Sequence, residues 1–236
     1  LKDVRVEDGA VKAVLGPSPF ISDPTPAQRK ETPVEAEAVL VTVGRAPNTS
    51  GLGLEEAGIA VDGRGWIQAD DHMATSLPGV YAVGDVLGPS KIMLAHVAAV
   101  EGLCAVRNCL GQDEHMDYSV VPSGIFTSPE IGCVGLTEAQ AVAAGHEVRV
   151  ANFQMRELGK AQAMNELPGV FKLVSDAATG KALGAHIAGA HATDLVAEAA
   201  LALHMGASVQ DIASTIHAHP TLAEGLYEAA LSLADR

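Results

Sequence analysis

The chain has 236 residues, 48% hydrophobic and 19% charged, enough apolar material to pack one large domain or two modest ones. Fifteen Lys and Arg against 29 Asp and Glu leave a formal charge of −14, a field of the wrong sign for non-specific binding to nucleic acid or an anionic membrane. No stretch reaches the roughly 18 uncharged apolar residues of a membrane span, and no signal peptide opens the chain. Three cysteines cannot build a dense disulfide framework, so a reducing cytoplasm is expected. The first residue is Leu1, which reads as a chain beginning inside a longer product.

Residues 1–43 look like the edge of a larger sheet. Val4, Val6, Val11, Ala13 and Leu15 alternate with the period of half-exposed strands. Five prolines between Pro17 and Pro33 mark a turn-rich or disordered insertion. The run Ala38–Val43 reads as a buried strand, ended by Gly44, although the segment supplies few neighbours for it. Over 44–115 the pattern predicts a short helical turn around Leu52–Ile59, a short strand Val80–Val83 closed by Gly84-Asp85, and a helix from Leu94 to Leu110. Small residues in that helix would let a sheet or ligand come close.

Residues 116–236 read as a separate α+β domain. Strands are expected at 124–127, 133–136, 147–153, 170–175 and 183–189. A helix over 137–144 is announced by Thr137 as cap with Gln140 three residues on, and a second covers 192–205. Gly145 and Gly206 stand where C-caps belong. Helices at 209–214 and 222–233 flank the densest polar motif, His217-Ala218-His219-Pro220-Thr221-Leu222-Ala223-Glu224.

Pro220 restrains His219 to extended geometry and can occupy the first turn of the last helix, so an imidazole is presented from a loop. Glu224 is spaced to fold back toward it. A carboxylate accepting from one ring nitrogen fixes the tautomer and raises the basicity of the other, which makes a general-base pair. A polar cap with a surface His and Glu accounts for the same spacing. Zinc would need a third and fourth ligand that His217 and His219 lack, so no metal site is expected.

The His-Ala-His-Pro-Thr-Leu-Ala-Glu stretch resembles the C-terminal active-site motif of the dihydrolipoamide dehydrogenases, within the flavin disulfide oxidoreductase superfamily. Four further stretches resemble that family in order and spacing. Val41–Thr49 is similar to the exit from its NAD domain, Val80–Val86 to its second FAD-contacting motif, Met93–His96 to the segment beneath the flavin, and Pro129–Glu138 to the opening of its interface domain. The likeness covers about 38–236. Mercuric reductase-like relatives carry terminal cysteines, absent here, and the His217-Ala218 pair favours the lipoamide branch over the glutathione reductase type.

The resemblance implies an obligate homodimer in which His219 serves the partner subunit's site. There it would take a proton from a dihydrolipoyl thiol, with Glu224 orienting the ring, and electrons would pass through FAD to NAD. It implies that Asp85, after Gly84, accepts from a ribityl hydroxyl. Met93, Leu94, Ala95 and His96 would offer helix-start amides to the flavin, and Gly44 would leave room for NAD. Read without it, Asp85 is a turn or cap residue, residues 93–96 are core, and Gly44 ends a strand. The expected partner is a dihydrolipoyl domain of a 2-oxoacid dehydrogenase or glycine cleavage complex.

Much of that chemistry's equipment is missing. No G-x-G-x-x-G occurs, and Gly51-Leu52-Gly53-Leu54-Glu55-Glu56 fails at its last position. Cys104 and Cys109 have C-x4-C spacing but fall inside a predicted helix, where side chains five apart diverge by well over about 100°. They read as buried small residues. The expectation is therefore a C-terminal portion of a dihydrolipoamide dehydrogenase. Residues 1–43 would be the tail of the NAD domain, 44–115 the second segment of the FAD domain, and 116–236 an interface domain of antiparallel sheet and helices. The FAD and NAD sites would both be incomplete and the chain alone inactive. An inactive dimerisation module and a sibling reductase of the glutathione reductase type are the alternatives.

Overall fold

The computed structural model describes residues 1–18 and 21–234. The chain divides into two compact units, Leu1–Asn48 and Thr49–Arg236.

In the first unit β1 (Lys2–Glu7), β2 (Ala10–Leu15) and β3 (Thr32–Ala36) form an antiparallel sheet in that order. Asp8 and Gly9 join β1 to β2, both with positive φ (52° and 79°), the backbone that matches strand twist in a two-residue hairpin. β3 was not expected. It contains Pro33, which its place at the sheet edge tolerates. Part of the expected insertion is ordered by Arg29, whose guanidinium donates to the Pro24 carbonyl at 2.8 Å and pairs with Asp23 at 3.1 Å. Pro19 and Phe20, in the same stretch, lie outside the described residues.

The buried strand expected at 38–43 does not form. Leu40, Val41 and Val43 are 87%, 73% and 92% exposed, and among the described residues no strand pairs with them. An interior strand needs a neighbour on each edge, and none is supplied here.

The second unit begins with turns and isolated bridges around a small core of Met73, Ala82, Leu87, Cys104 and Ala105. The strand expected at 80–83 shrinks to a single bridge between Ala74 and Tyr81. Gly79 and Gly84, both at positive φ, turn the chain at either end of it. A 3-10 stretch, Gly84–Ser90, leads to α1 (Ala95–Cys109). Trp66 packs so closely on Gly88 that a Cβ there would lie 2.4 Å from the indole.

The main core belongs to a five-stranded antiparallel sheet of β4 (Ser123–Ile125), β5 (Glu130–Gly135), β6 (Val148–Gln154), β7 (Val170–Asp176) and β8 (Ala182–Gly189), in the order β4-β5-β8-β7-β6. Register sets Phe171 opposite Ile187 and Leu173 opposite Ala185. These four join one apolar cluster with α4 (Ala192–His204) and α6 (Glu224–Ala234). The shorter α2 (Glu138–Ala143), α3 (Gly159–Met164) and α5 (Val209–Ser214) complete the unit. The class is the α+β one expected. All five expected strands and four of its helices form within three residues of the predicted limits; α3, which has no side-chain cap, was missed.

Candidate active site

Residues 215–223 connect α5 to α6 and carry the polar motif. α5 is fixed at its start by a reciprocal capping box between Ser208 and Asp211, and at its end the Thr215 hydroxyl donates to the Asp211 carbonyl at 2.8 Å. The Thr221 hydroxyl then donates to the Ala218 carbonyl at 2.7 Å, tightening the loop. α6 starts at Glu224, not Leu222, so Pro220 lies ahead of the helix and outside its first turn.

The structure brings His219 and Glu224 together. Nδ1 of the imidazole donates to Oε1 of the carboxylate at 2.8 Å, and Oε2 accepts the Thr221 amide at 2.8 Å. The acid is thus held from both sides. The Thr221 amide, then His219, hold the Glu224 carboxyl below the usual carboxylate range, so it stays ionised at neutral pH. The Glu224 side chain is 20% exposed while that of His219 is 75% exposed. With Nδ1 engaged, Nε2 keeps the lone pair on an accessible ring.

His217 plays a different part. Its side chain is 6% exposed, Nε2 lies 2.7 Å from Glu198 and Nδ1 lies 2.9 Å from the Thr215 carbonyl. Both nitrogens face acceptors, so His217 and His219 do not converge as zinc ligands. Glu198 sits on α4, nineteen residues upstream, and only the tertiary packing reveals it.

A second group of residues gathers around the start of α1. Gly84, at φ +76°, packs on Ala98, where a Cβ would approach the alanine methyl to 3.2 Å. Its amide donates to Glu101 at 2.6 Å, and the other oxygen of that fully buried carboxylate accepts the Tyr118 hydroxyl at 2.7 Å. Burial, then Glu101, push the Tyr118 hydroxyl's pKa upward. The sequence reading missed both residues, though a lone acid among small apolar neighbours in α1 was the available signal. Asp85, half-buried, opens the 3-10 turn. Met93 and Leu94 are half-buried, and Ala95 and His96 are exposed on the first helical turn. His96 Nε2 donates to the Pro122 carbonyl at 2.9 Å.

The expectation for these residues is the edge of an FAD. The first turn of α1 has no side-chain cap at Leu94 and no acidic residue, which leaves helix-start amides for an electron-rich group. Gly84 gives close backbone approach beside it. NAD is not fitted in the same way. Gly44 lies in an irregular segment where an added Cβ would meet nothing within 4 Å, so no cradle is built there.

Cys104 is buried and Cys109 exposed, both on α1 and both free. The expectation that both are buried is corrected for Cys109, which faces out where α1 ends. Burial raises the Cys104 thiol's pKa. Among the described residues no single helix is long and apolar enough to cross a membrane.

Two families match the chain. "Pyridine nucleotide-disulphide oxidoreductase, dimerisation domain" matches residues 121–230, and "Pyridine nucleotide-disulphide oxidoreductase" matches residues 9–102. A dihydrolipoyl dehydrogenase of Thermus scotoductus is 49% identical over 200 residues, which is 85% of this chain and 43% of that protein. The crystal structure of LpdA from Mycobacterium tuberculosis superposes with a TM-score of 0.79 at 31% identity, over 86% of this chain and 44% of the other. The HOCl-induced flavoprotein disulfide reductase RclA from Escherichia coli gives 0.79 at 27% identity, over 85% and 46%. The chain spans less than half the length of these relatives.

The second family match corrects one expectation. The chain is not simply a C-terminal portion, because sequence of the family's nucleotide-binding type lies at 9–102, near its own N-terminus. The stretches at 41–49, 80–86 and 93–96 already pointed to nucleotide-binding sequence there, but the missing G-x-G-x-x-G made the first hundred residues look like remnants.

Proposed function

Because the chain belongs to the pyridine nucleotide-disulphide oxidoreductase superfamily, we propose that its His219–Glu224 pair is the proton acceptor for a dithiol substrate of the dihydrolipoyl type. The observation that carries this reading is the 2.8 Å contact between Nδ1 and Oε1, with Glu224 itself anchored by the Thr221 amide. A free cysteine thiol, with a pKa of about 8.5, is mostly protonated at neutral pH, and so is an alkyl dithiol, while exchange requires the thiolate. Nε2 of His219 accepts the thiol proton, and the ionised Glu224 stabilises the imidazolium that results. The thiolate would then attack the holoenzyme's redox disulfide, whose S–S bond breaks and takes up the electron pair as the substrate disulfide closes, and the proton leaves again from Nε2.

The working unit is a homodimer, with residues 121–230 as its dimerisation domain and His219 reaching the partner's site. The division 1–43, 44–115 and 116–236 follows from the same reading. Bound FAD would carry electrons away from the dithiol–disulfide exchange. Gly84 would give it close backbone approach, the first turn of α1 would offer it amides, and Asp85 would accept from a ribityl hydroxyl. Nothing around Gly44 supports a step through NAD on this chain. These 236 residues, with no G-x-G-x-x-G and no cysteine pair able to close, do not turn over alone. The expected setting is the cytoplasm, with the dihydrolipoyl domain of a 2-oxoacid dehydrogenase or glycine cleavage complex as partner.

The test is steady-state oxidation of dihydrolipoamide by the FAD-loaded holoenzyme purified from cells. His219→Gln lowers kcat by about 10²–10⁴-fold, the contribution of a positioned base. An unchanged kcat overturns the proposal. Faster oxidation of glutathione than of dihydrolipoamide would move the assignment to the glutathione reductase type. A dimer that carries no flavin absorbance would make it an inactive dimerisation module.

A further inference from the structure

Two segments of the second unit meet at a cluster of metal-ligating side chains that neither group uses. His72 lies on the turn after Asp70, whose carboxylate accepts the amides of His72 and Ala74, both at 2.9 Å. Asp113 and His115 lie on the segment that follows α1. His72 Nδ1 is 3.6 Å and His115 Nε2 is 3.8 Å from the same oxygen, Oδ1 of Asp113, and the two rings lie 3.9 Å apart. One ligand atom from each of the three residues falls within 4.8 Å of the others.

Bonds of about 2.0–2.2 Å at tetrahedral angles put neighbouring zinc ligands roughly 3.4 Å apart. The two separations from Asp113 exceed that by a few tenths of an ångström and the third lies within 4.8 Å, gaps that rotation of the exposed Asp113 and His115 side chains closes. The backbone beneath is already fixed. The Asn108 side-chain amide donates to the carbonyls of His72 and Glu114 at 3.0 and 2.8 Å, and its oxygen accepts the Glu114 amide at 2.9 Å. Met116 donates its amide to the Asp71 carbonyl at 2.9 Å, and Arg107 pairs with Glu114 at 2.7 Å. One asparagine thus clasps both ligand-bearing segments.

We infer that His72, Asp113 and His115 form a binding site for a divalent transition cation of the zinc type. Two imidazoles with one carboxylate favour zinc or copper over magnesium, which prefers an all-oxygen octahedron. His72 Nδ1 is 3.0 Å from the Glu114 carbonyl. On binding, the neutral ring carries its proton on Nε2 instead, and water or that carbonyl takes the fourth position.

The probe is zinc chloride titrated calorimetrically into the purified protein in a non-chelating buffer, with magnesium chloride as the comparison. One equivalent of zinc binds, magnesium does not compete, and His72→Ala and His115→Ala each weaken zinc at least 10-fold. Because the His115 side chain is 61% exposed, its removal leaves the fold intact. Zinc binding of unchanged strength in both variants, or magnesium binding as tightly as zinc, overturns the inference.

Discussion

The carboxylate of Glu101 is fully buried and accepts the hydroxyl of Tyr118 at 2.7 Å. Its other oxygen takes the Gly84 amide, so one side chain ties the turn at 84–90 to α1 and to the segment before β4. Replacing Tyr118 with Phe removes a donor from a buried carboxylate and costs about 1–3 kcal/mol. Glu101→Ala leaves both the amide and the hydroxyl without their acceptor and costs more. Urea midpoints measure both, and the expected order is wild type, then Tyr118→Phe, then Glu101→Ala.

Stability should depend on Glu224 in a defined pH window. Its folded-state carboxyl lies below the ordinary value of 4.5, so it contributes stability that is fully present above that pH and lost as pH falls through the lowered value. Thermal melts of wild type and Glu224→Gln should differ at neutral pH and converge under acid. A difference that grows on acidification contradicts the arrangement.

Gly225 follows Glu224 and lies against Phe171, where an added Cβ would clash with the ring. Gly225→Ala should therefore destabilise by about 1–3 kcal/mol through overpacking. On the proposed function it should also lower dihydrolipoamide turnover by the holoenzyme, because the start of α6 carries Glu224. Phe171→Ala, which empties part of the main core, should cost about 3–5 kcal/mol. Denaturant titration checks both.

Cys104 and Cys109 should remain thiols under air. Peptide mapping without reductant should find both free, and Cys109→Ser should change stability by no more than about 0.5 kcal/mol, as expected of an exposed position.

Local chemistry was legible in the sequence. Thr137 and Gln140 announced a capping box, and both halves of it form at the start of α2. Gly145 and Gly206 end helices at positive φ, and the alternating strands of the five-stranded sheet lie close to their expected places. The His219–Glu224 contact could be anticipated because the two are five residues apart. Glu198 with His217 and Glu101 with Tyr118 could not, because their partners meet only after helices pack. The run Ala38–Val43 misled because hydrophobic content alone says nothing about whether neighbouring strands exist. His72 and the Asp113–His115 segment, some forty residues apart, escaped for the same reason as the buried pairs.

The most direct test of proton transfer by His219 follows the thiol–disulfide exchange step against pH, in rapid-mixing experiments on the holoenzyme with dihydrolipoamide. In His219→Gln, only thiolate already present in solution can react, so the rate should climb about tenfold per pH unit toward the substrate thiol's own pKa, then meet the wild-type rate. Wild type should be far less steep over that range. A variant that matches wild type in both rate and pH profile at neutral pH would remove His219 from the chemistry.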